Sequence, residues 1–417
     1  MIYKNLMVLP KICTPRTLFS NCVLHVVNKY ILSSVQWMHY TTDSTNIKDL
    51  DTKESNNNQN LPIRSLTQNV DAEFEDIASK SSSSSRTNTD LYLTNPEVAK
   101  KFVTLIKDDL LKNMYHVVEA NPGFGYLTEE LFKIGVPFIH LFENSSEYWN
   151  HLNNLCTKFP NQLSITKLNL FNISKMLTGV SVHSDIMYKL INNVQQRKWE
   201  EESCMQVIGT TSKSVFIRHL ILSTVFQTGL TMFGRPIFYL AIPSSTCNFI
   251  FQKFTCIERS TTLYIMFNIL FNYEIYGTVD RKAFIPQYKS KEANRKRVTK
   301  DDSSILNVIK IEPKPDLFTL FKTKKNLVYF WHFVRYSFYK QNTRVIPTLE
   351  NLVPGCGIKL IALNYNIFTE FGDLNPRQIY DLFMEFQSWP EYEQCSFQLS
   401  AGDIRRTYQL YLEEEDV

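Results

Sequence analysis

The residues with the clearest chemical potential lie in Glu119-Ala120-Asn121-Pro122-Gly123-Phe124-Gly125. Glycines at 123 and 125 let the backbone pass close to a ligand where a Cβ would clash. A helix expected just after them would aim free N–H groups and the positive end of its dipole at the same place. In dinucleotide folds that geometry grips a pyrophosphate. Glu143 follows Glu119 by 24 residues and would end the next strand, placed to accept both hydroxyls of a ribose. A Gly-x-Gly alone reads better as a tight strand-to-helix turn. Its combination with acids at two matching strand ends turns the reading toward a nucleoside cofactor.

Such residues need a frame to hold them. Asn95 can cap a helix with Pro96 at its first position and Val98, Phe102, Val103 and Ile106 on one face. Short apolar runs predict strands over 116–119, 138–143, 163–168, 206–209 and 237–242, with helices between them. Strands alternating with helices imply an α/β fold with a parallel sheet and right-handed crossovers. Residues 330–339, 351–352 and 376–386 instead have helical spacing and no β-runs, which predicts a small all-helical C-terminal domain over 326–417.

The chain has 417 residues, enough for two packed domains and a tail, and 44% hydrophobic residues support a sizeable core. A net charge of +4 excludes a general polycation, so nucleic-acid contacts must come from local patches. The eight cysteines form no C-x-x-C pair and no Cys/His ligand spacing, so neither a metal site nor a disulfide framework is expected. No stretch is long and apolar enough for membrane insertion; the best, 220–250, is broken by Gln227, Arg235 and Pro236. Residues 1–42 contain no Asp or Glu but carry Lys4, Lys11, Arg16 and Lys29, the composition of a mitochondrial transit peptide. Residues 43–88 are poor in apolar residues and include Asn56-Asn57-Asn58 and a serine run, as in a disordered linker. That leaves 89–325 for the cofactor-binding domain.

Tyr92-Leu93-Thr94-Asn95-Pro96, the Glu119–Thr128 segment and Glu143 together resemble the opening of the rRNA adenine-N6 dimethyltransferase family. Glu-x-Asn-Pro-Gly, Phe233-Gly234-Arg235, the segment from Pro313 to Phe318 and Leu363-Asn364-Tyr365-Asn366-Ile367-Phe368 are similar to a mitochondrial branch of it, the second type of transcription factor B. The resemblance spans roughly 90–400. It implies a Rossmann-like class I S-adenosylmethionine-dependent methyltransferase domain, with S-adenosylmethionine as the cofactor. By position, the cofactor contacts would fall on Leu93, Asn121, Gly123, Glu143 and Asn169. The family has Asp at the last of these, to accept the adenine amino hydrogen; a neutral amide oxygen accepts that bond more weakly. Leu91 replaces an Asn of the family's first motif.

N6-methylation needs a flipped adenine with its amino group held toward the sulfonium. The family does this with Asn-Leu-Pro-Tyr at the end of the fourth strand. Here the matching positions are Thr210, Thr211, Ser212 and Lys213, which keep none of those residue types. Threonine has no planar amide to align the amino group and lysine has no stacking face, so methyl transfer is expected to be weak or lost. The densest basic run holds Lys289, Lys291, Arg295, Lys296 and Arg297, suited to sequence-blind phosphate contacts and equally to a solvated loop. A second patch interleaves Arg335, Tyr336, Tyr339, Lys340 and Arg344, which suits single strands through stacking and charge. In the family a pair of arginines here faces nucleic acid; this chain has Lys340 and Gln341. Phe330, Trp331 and Phe338 read more simply as core.

The resemblance implies a mitochondrial transcription initiation factor, acting in the matrix nucleoid with mitochondrial RNA polymerase and melted, single-stranded promoter DNA. The alternative is an active rRNA adenine dimethyltransferase of the small mitochondrial ribosomal subunit. A third reading is a non-catalytic rRNA-binding assembly factor.

Overall fold

The computed structural model describes residues 90–113, 115–171, 194–212, 214–251, 261–286, 304–340 and 342–398. The expectations for 1–42 and 43–88, for Lys213, and for Lys289, Lys291, Arg295, Lys296 and Arg297 lie outside the described residues.

The chain enters as a two-residue strand, β1 (Tyr92–Leu93). The Asn95 side chain then accepts hydrogen bonds from Glu97 N and Val98 N, and Pro96 opens α1 (Pro96–Lys112). Phe102, Val103, Ile106 and Leu110 form the buried stripe of that helix. Alternation follows as expected: β2 (His116–Ala120), α2 (Tyr126–Lys133), β3 (Ile139–Phe142), α3 (Trp149–Lys158) and β4 (Leu163–Thr166). The chain then returns to the centre of the sheet as β5 (Met205–Thr210), followed by α4 (Ser214–Phe226) and β6 (Pro236–Pro243). Every residue of β5 and β6 is buried, which is why β6 reads as an unbroken apolar run and β5 as one broken by Gln206, whose Nε2 donates to Leu110 O at 3.0 Å.

Helices α5 (Ser244–Phe251) and α6 (Thr262–Leu270) lead to β7 (Phe271–Asp280), β8 (Phe284–Ile285) and β9 (Ile305–Pro313). The main sheet has the order β4-β3-β2-β5-β6-β9-β7. Its first five strands are parallel, and β9 runs antiparallel between β6 and β7. The sheet is therefore mixed, and β7 and β9 correct the all-parallel expectation. The long strand β7 escapes a sequence reading because most of it is exposed, Gly277 interrupts it, and its register to β9 shifts between Ile275 and Gly277. Its partner is more than twenty residues away in sequence, so no hairpin turn signals the pair.

This is the Rossmann-like class I methyltransferase architecture. From β2 the chain winds outward through β3 and β4, then crosses back to β5 and β6 on the other side. Strand order reverses between β2 and β5, and open α/β sheets bind ligands beyond the carboxyl ends of strands at such a point.

The C-terminal region is helical, with α7 (Leu317–Phe321), α8 (Lys324–Ser337), α9 (Val345–Glu350), α10 (Gly357–Ala362) and α11 (Pro376–Ser388). A capping box of Asn375 and Gln378 starts α11. One hydrophobic cluster runs from the sheet, through Phe216, Phe238 and Ile309, into Phe330, Phe333, Phe383 and Phe386 of these helices. Among the described residues no helix is long and apolar enough to cross a membrane.

A buried arginine ties this arrangement together. Arg235 donates from Nε to Trp199 O at 2.8 Å, from Nη2 to Glu201 O at 2.7 Å and from Nη1 to Pro313 O at 3.3 Å, and it pairs with Glu312. The two motifs at 233–235 and 313–318 therefore meet at one staple between the loop before β5 and the end of β9. Arg235→Ala would take a donor from three carbonyls and leave the partly buried Glu312 carboxylate with only Ser203 Oγ at 3.2 Å and the more distant Lys310. We expect it to lower stability by ~3–5 kcal/mol, read as a shift in the urea midpoint. Arg235→Lys should recover less than half, because one ammonium cannot reproduce the planar fork.

Candidate functional site

At the switch point β2 ends at Ala120 and the chain turns sharply. Asn121, Gly123 and Gly125 have φ of 56°, 56° and 77°. Gly125 caps α2 in the left-handed region, and a Cβ there would stand 2.1 Å from Leu155 Cδ1. A Cβ on Gly123 would stand 3.0 Å from Tyr92 Cδ1. Both glycines are therefore required by close approach, and what approaches Gly123 is the protein's own Tyr92.

Glu119 and Glu143 occupy neighbouring strand ends but do different work. Glu119 Oε2 accepts a hydrogen bond from Thr128 Oγ1 at 2.7 Å, which ties β2 to the first turn of α2 and closes the glycine loop. Burial, and the Glu143 charge beside it, push its carboxyl up to about 8, against the pull of the Thr128 bond. Glu143 is fully buried. Its Oε1 accepts from Ser145 N at 2.8 Å and from Tyr92 Oη at 3.4 Å, and its Oε2 accepts from Gly123 N at 3.2 Å. Burial raises its carboxyl to about 7, with the two backbone N–H bonds opposing and the Asp90 charge adding to the rise.

A strap formed by residues 90–93 crosses these strand ends. Asp90 bridges antiparallel to Thr211, Leu91 O accepts from Thr210 Oγ1 at 2.7 Å, and Leu93 pairs with Phe284 of β8. Tyr92 stacks tilted on Tyr148 with ring centroids 4.5 Å apart. Asn169 Nδ2 donates to Asp90 Oδ2 at 2.7 Å, and Asn169 Oδ1 accepts from Phe171 N at 3.0 Å. The sequence reading missed the parts played by Asp90 and Tyr92. The available signal was Asn169 itself: a strand end short of one charge invites a search for a carboxylate placed opposite.

Of the sequence-predicted positions, Leu93, Asn121, Gly123, Glu143 and Asn169 thus gather around the strand ends, with Thr210 and Thr211 beside them. Ser212 follows at the end of β5, half-buried. Thr210 and Thr211 are buried under the strap. Lys340 and Arg344 lie elsewhere, exposed on the helical region, while Phe330 and Trp331 are core as expected.

S-adenosylmethionine can be tested against this geometry. The Asn121 carboxamide is buried, and neither its Oδ1 nor its Nδ2 has a hydrogen-bond partner among the described residues. An amide left so is costly unless something else pairs with it. It offers one acceptor and two donors to a zwitterionic amino-acid group. Glu143 offers the ribose acid, and its one side-chain partner is a long hydroxyl contact. At the adenine end the Asn169 amide is engaged on both atoms, and the carboxylate present belongs to Asp90. The residues fit such a group at the loop and ribose, with Asp90 supplying the charge at the far end.

No family model matches the chain. It is 29% identical over 364 residues to dimethyladenosine transferase 2, mitochondrial, of Drosophila melanogaster, covering 74% of this chain and 78% of the relative. It is 24% identical over 295 residues to the protein of the same name from Bos taurus, covering 68% and 73%. Both relatives bear out the resemblance drawn from the motifs. Among solved structures, a dimethyladenosine transferase from Plasmodium falciparum superposes with a TM-score of 0.46 at 13% identity, over 71% of this chain and 97% of that one.

Two outcomes follow from the carboxyls. In the folded protein both hold protons at pH values where the unfolded chain has released them, so their contribution to stability is fully present below about 4.5 and is lost as pH rises through about 8, while buried His140, His219 and His332, lowered to about 4, oppose it below about 6.5. Urea midpoints should fall between about pH 7, where the histidines are neutral in both states, and about pH 8, and Glu119→Gln should flatten that fall. Calorimetric titration with S-adenosylmethionine should show affinity rising as Glu143 ionises through about pH 7, and Glu143→Gln should abolish the rise.

Proposed function

We propose that the protein is a mitochondrial transcription initiation factor built on an rRNA adenine dimethyltransferase scaffold. It helps the mitochondrial RNA polymerase open promoter DNA by holding the melted strand. The observation that carries this reading is the state of the target-base position. Thr210 donates its hydroxyl to Leu91 O at 2.7 Å and Thr211 is bridged to Asp90, both buried. Neither presents a planar amide to the crevice, so nothing at these two positions aligns an adenine amino group for attack.

The cofactor side of the cleft is better kept than the target side. Asn121, Gly123 and Glu143 would hold S-adenosylmethionine, and Leu93 would sit under it from the strap. When bound, that group supplies an electrophilic methyl on a sulfonium. The chain's own contribution would be binding: Asn121 pairs the amino-acid end and Glu143 accepts the ribose hydroxyls. Without a holder for the target amine, bound cofactor serves as a structural ligand and methyl transfer is weak or lost.

The relatives' shared name, together with the acid-free, basic composition of 1–42, supports import into the mitochondrion. Residues 43–88 would be a linker, with the cofactor-binding domain over 89–325 and the helical domain over 326–417. The run of Lys289, Lys291, Arg295, Lys296 and Arg297 would neutralise phosphates, with Lys340 and Arg344 contacting the single strand.

A second reading, an active dimethyltransferase on small-subunit rRNA, is favoured by Glu143 and the glycine loop. One pair of assays separates them. Purified protein added to mitochondrial RNA polymerase on a linear promoter template should stimulate run-off transcription, and Glu143→Gln should stimulate equally. Absence of stimulation, with labelled methyl transferred to a small-subunit rRNA hairpin and lost in Glu143→Gln, would overturn the transcription reading.

A further inference from the structure

The Leu363–Phe368 stretch has no part in the cradle, yet the structure gives it a defined place. Two loops distant in sequence are clamped side by side: Val345 N donates to Thr369 O and Phe371 N donates to Thr343 O, each at 2.9 Å, around an antiparallel bridge of Arg344 and Glu370. Behind them the Phe338 and Phe371 rings lie 6.2 Å apart and anchor both loops to the core. The tip is fixed by its own turn. Phe368 N donates to Asn366 Oδ1 at 2.8 Å and Asn366 N to Thr369 Oγ1 at 3.0 Å.

This rigid edge exposes what a soluble surface normally hides. Phe368 is 66% exposed, and Tyr339, on the neighbouring loop, is 59% exposed. The Arg344 guanidinium stands 5.5 Å from the Phe368 ring centroid, and Arg344 has no ion pair among the described residues. Lys340 is also exposed. The nearby carboxylates, Glu370 and Asp373, are turned into each other's backbone in a capping box. An isolated exposed apolar residue needs no explanation. A ring held by its own turn under a guanidinium that has no ion pair among the described residues, with a second exposed ring on the adjoining loop, does.

We propose that this edge is a stacking platform for single-stranded nucleic acid, with Phe368 receiving a base and Arg344 the adjoining phosphate. Base–aromatic stacking is insensitive to sequence because every base has a π-face, and a cation beside the ring supplies the salt-dependent part. A duplex would not serve, since its base faces are already stacked. The inference rests on the reading above that the protein holds a melted strand, and it names the residues that would do so.

The test is fluorescence anisotropy of a labelled oligothymidylate of about 12 nucleotides with the full chain. Phe368→Ala should weaken binding about tenfold with an unchanged salt slope, and Phe368→Trp should restore it. Arg344→Ala should weaken binding and lower the salt slope by about one. Matching urea midpoints would show that the exposed substitutions leave the fold intact. If the unaltered chain binds but Phe368→Ala binds equally well, the platform is wrong while strand binding survives. If Phe368→Ala leaves oligonucleotide binding unchanged and loses polymerase stimulation, the edge belongs to a protein partner and the platform is again overturned. If the unaltered chain does not bind the oligonucleotide, the strand-holding reading fails and takes the platform with it.

Discussion

Parallel strands that end together leave polar groups in a confined space, and each needs a partner. Here the groups are two glutamates, an asparagine amide and two threonines at the ends of β2, β3 and β5 and just beyond β4. Much of the rest depends on how they are satisfied. Glu119 is closed inward by Thr128, which sets the glycine loop. The other four are met by one short segment, residues 90–92, running across the strand ends with two side-chain partners, one carbonyl and one bridge. Because Tyr92 must lie on Gly123 to reach Glu143, the glycine and the strap depend on each other.

The parts that local chemistry dictates were legible in the sequence. Asn95-Pro96 announced a helix start, and the buried runs of β5 and β6 announced central strands. Glu119, Gly123 and Glu143 announced a crevice at the strand ends. What could not be read depends on distant partners. Strand β9 alternates and carries Lys310 and Glu312, and its identity as the strand between β6 and β7 follows only from pairing across the sheet. The strap is similar: nothing in Asp90-Leu91-Tyr92 says that its groups fold onto Asn169, Thr210 and Glu143. Helix α7, Leu317–Phe321, escapes for another reason: five residues are too few to show periodicity.

In the proposed reading, the comparison of Asp90 with Asn169 bears on why the cofactor end of the cleft keeps its polar groups while the target-base end does not. A pair made of one carboxylate and one amide has the same hydrogen-bonding capacity whichever side bears the charge. In the proposed reading, a carboxylate on the strap in place of one beyond the strand therefore keeps an acid at the adenine end of the cleft. No comparable exchange is possible at Thr210 and Thr211. A planar amide facing the crevice has no substitute in a hydroxyl that is already donating to Leu91 O, and the strap that restores charge on one side covers the β5 end on the other.

Stability considerations sharpen this. Carboxyls raised to about 7 and about 8 are unfavourable places for acids, and apolar or amide side chains of similar shape would relieve the penalty. Glu119 has an evident structural return, since it closes the loop through Thr128. Glu143 bonds mainly to backbone N–H groups, Ser145 N on Oε1 and Gly123 N on Oε2, and a glutamine there would keep one of those bonds and set its amide N–H against the other donor. These two loop N–H groups therefore call for two acceptor oxygens at 143, and in the proposed reading a ligand presenting two hydroxyls would use the same carboxylate. The fold accounts for the glycines, for Glu119, for the oxygens of Glu143 and for the strap, and leaves the Asn121 amide, which has no hydrogen-bond partner among the described residues, as the feature that a bound molecule would complete in the proposed reading.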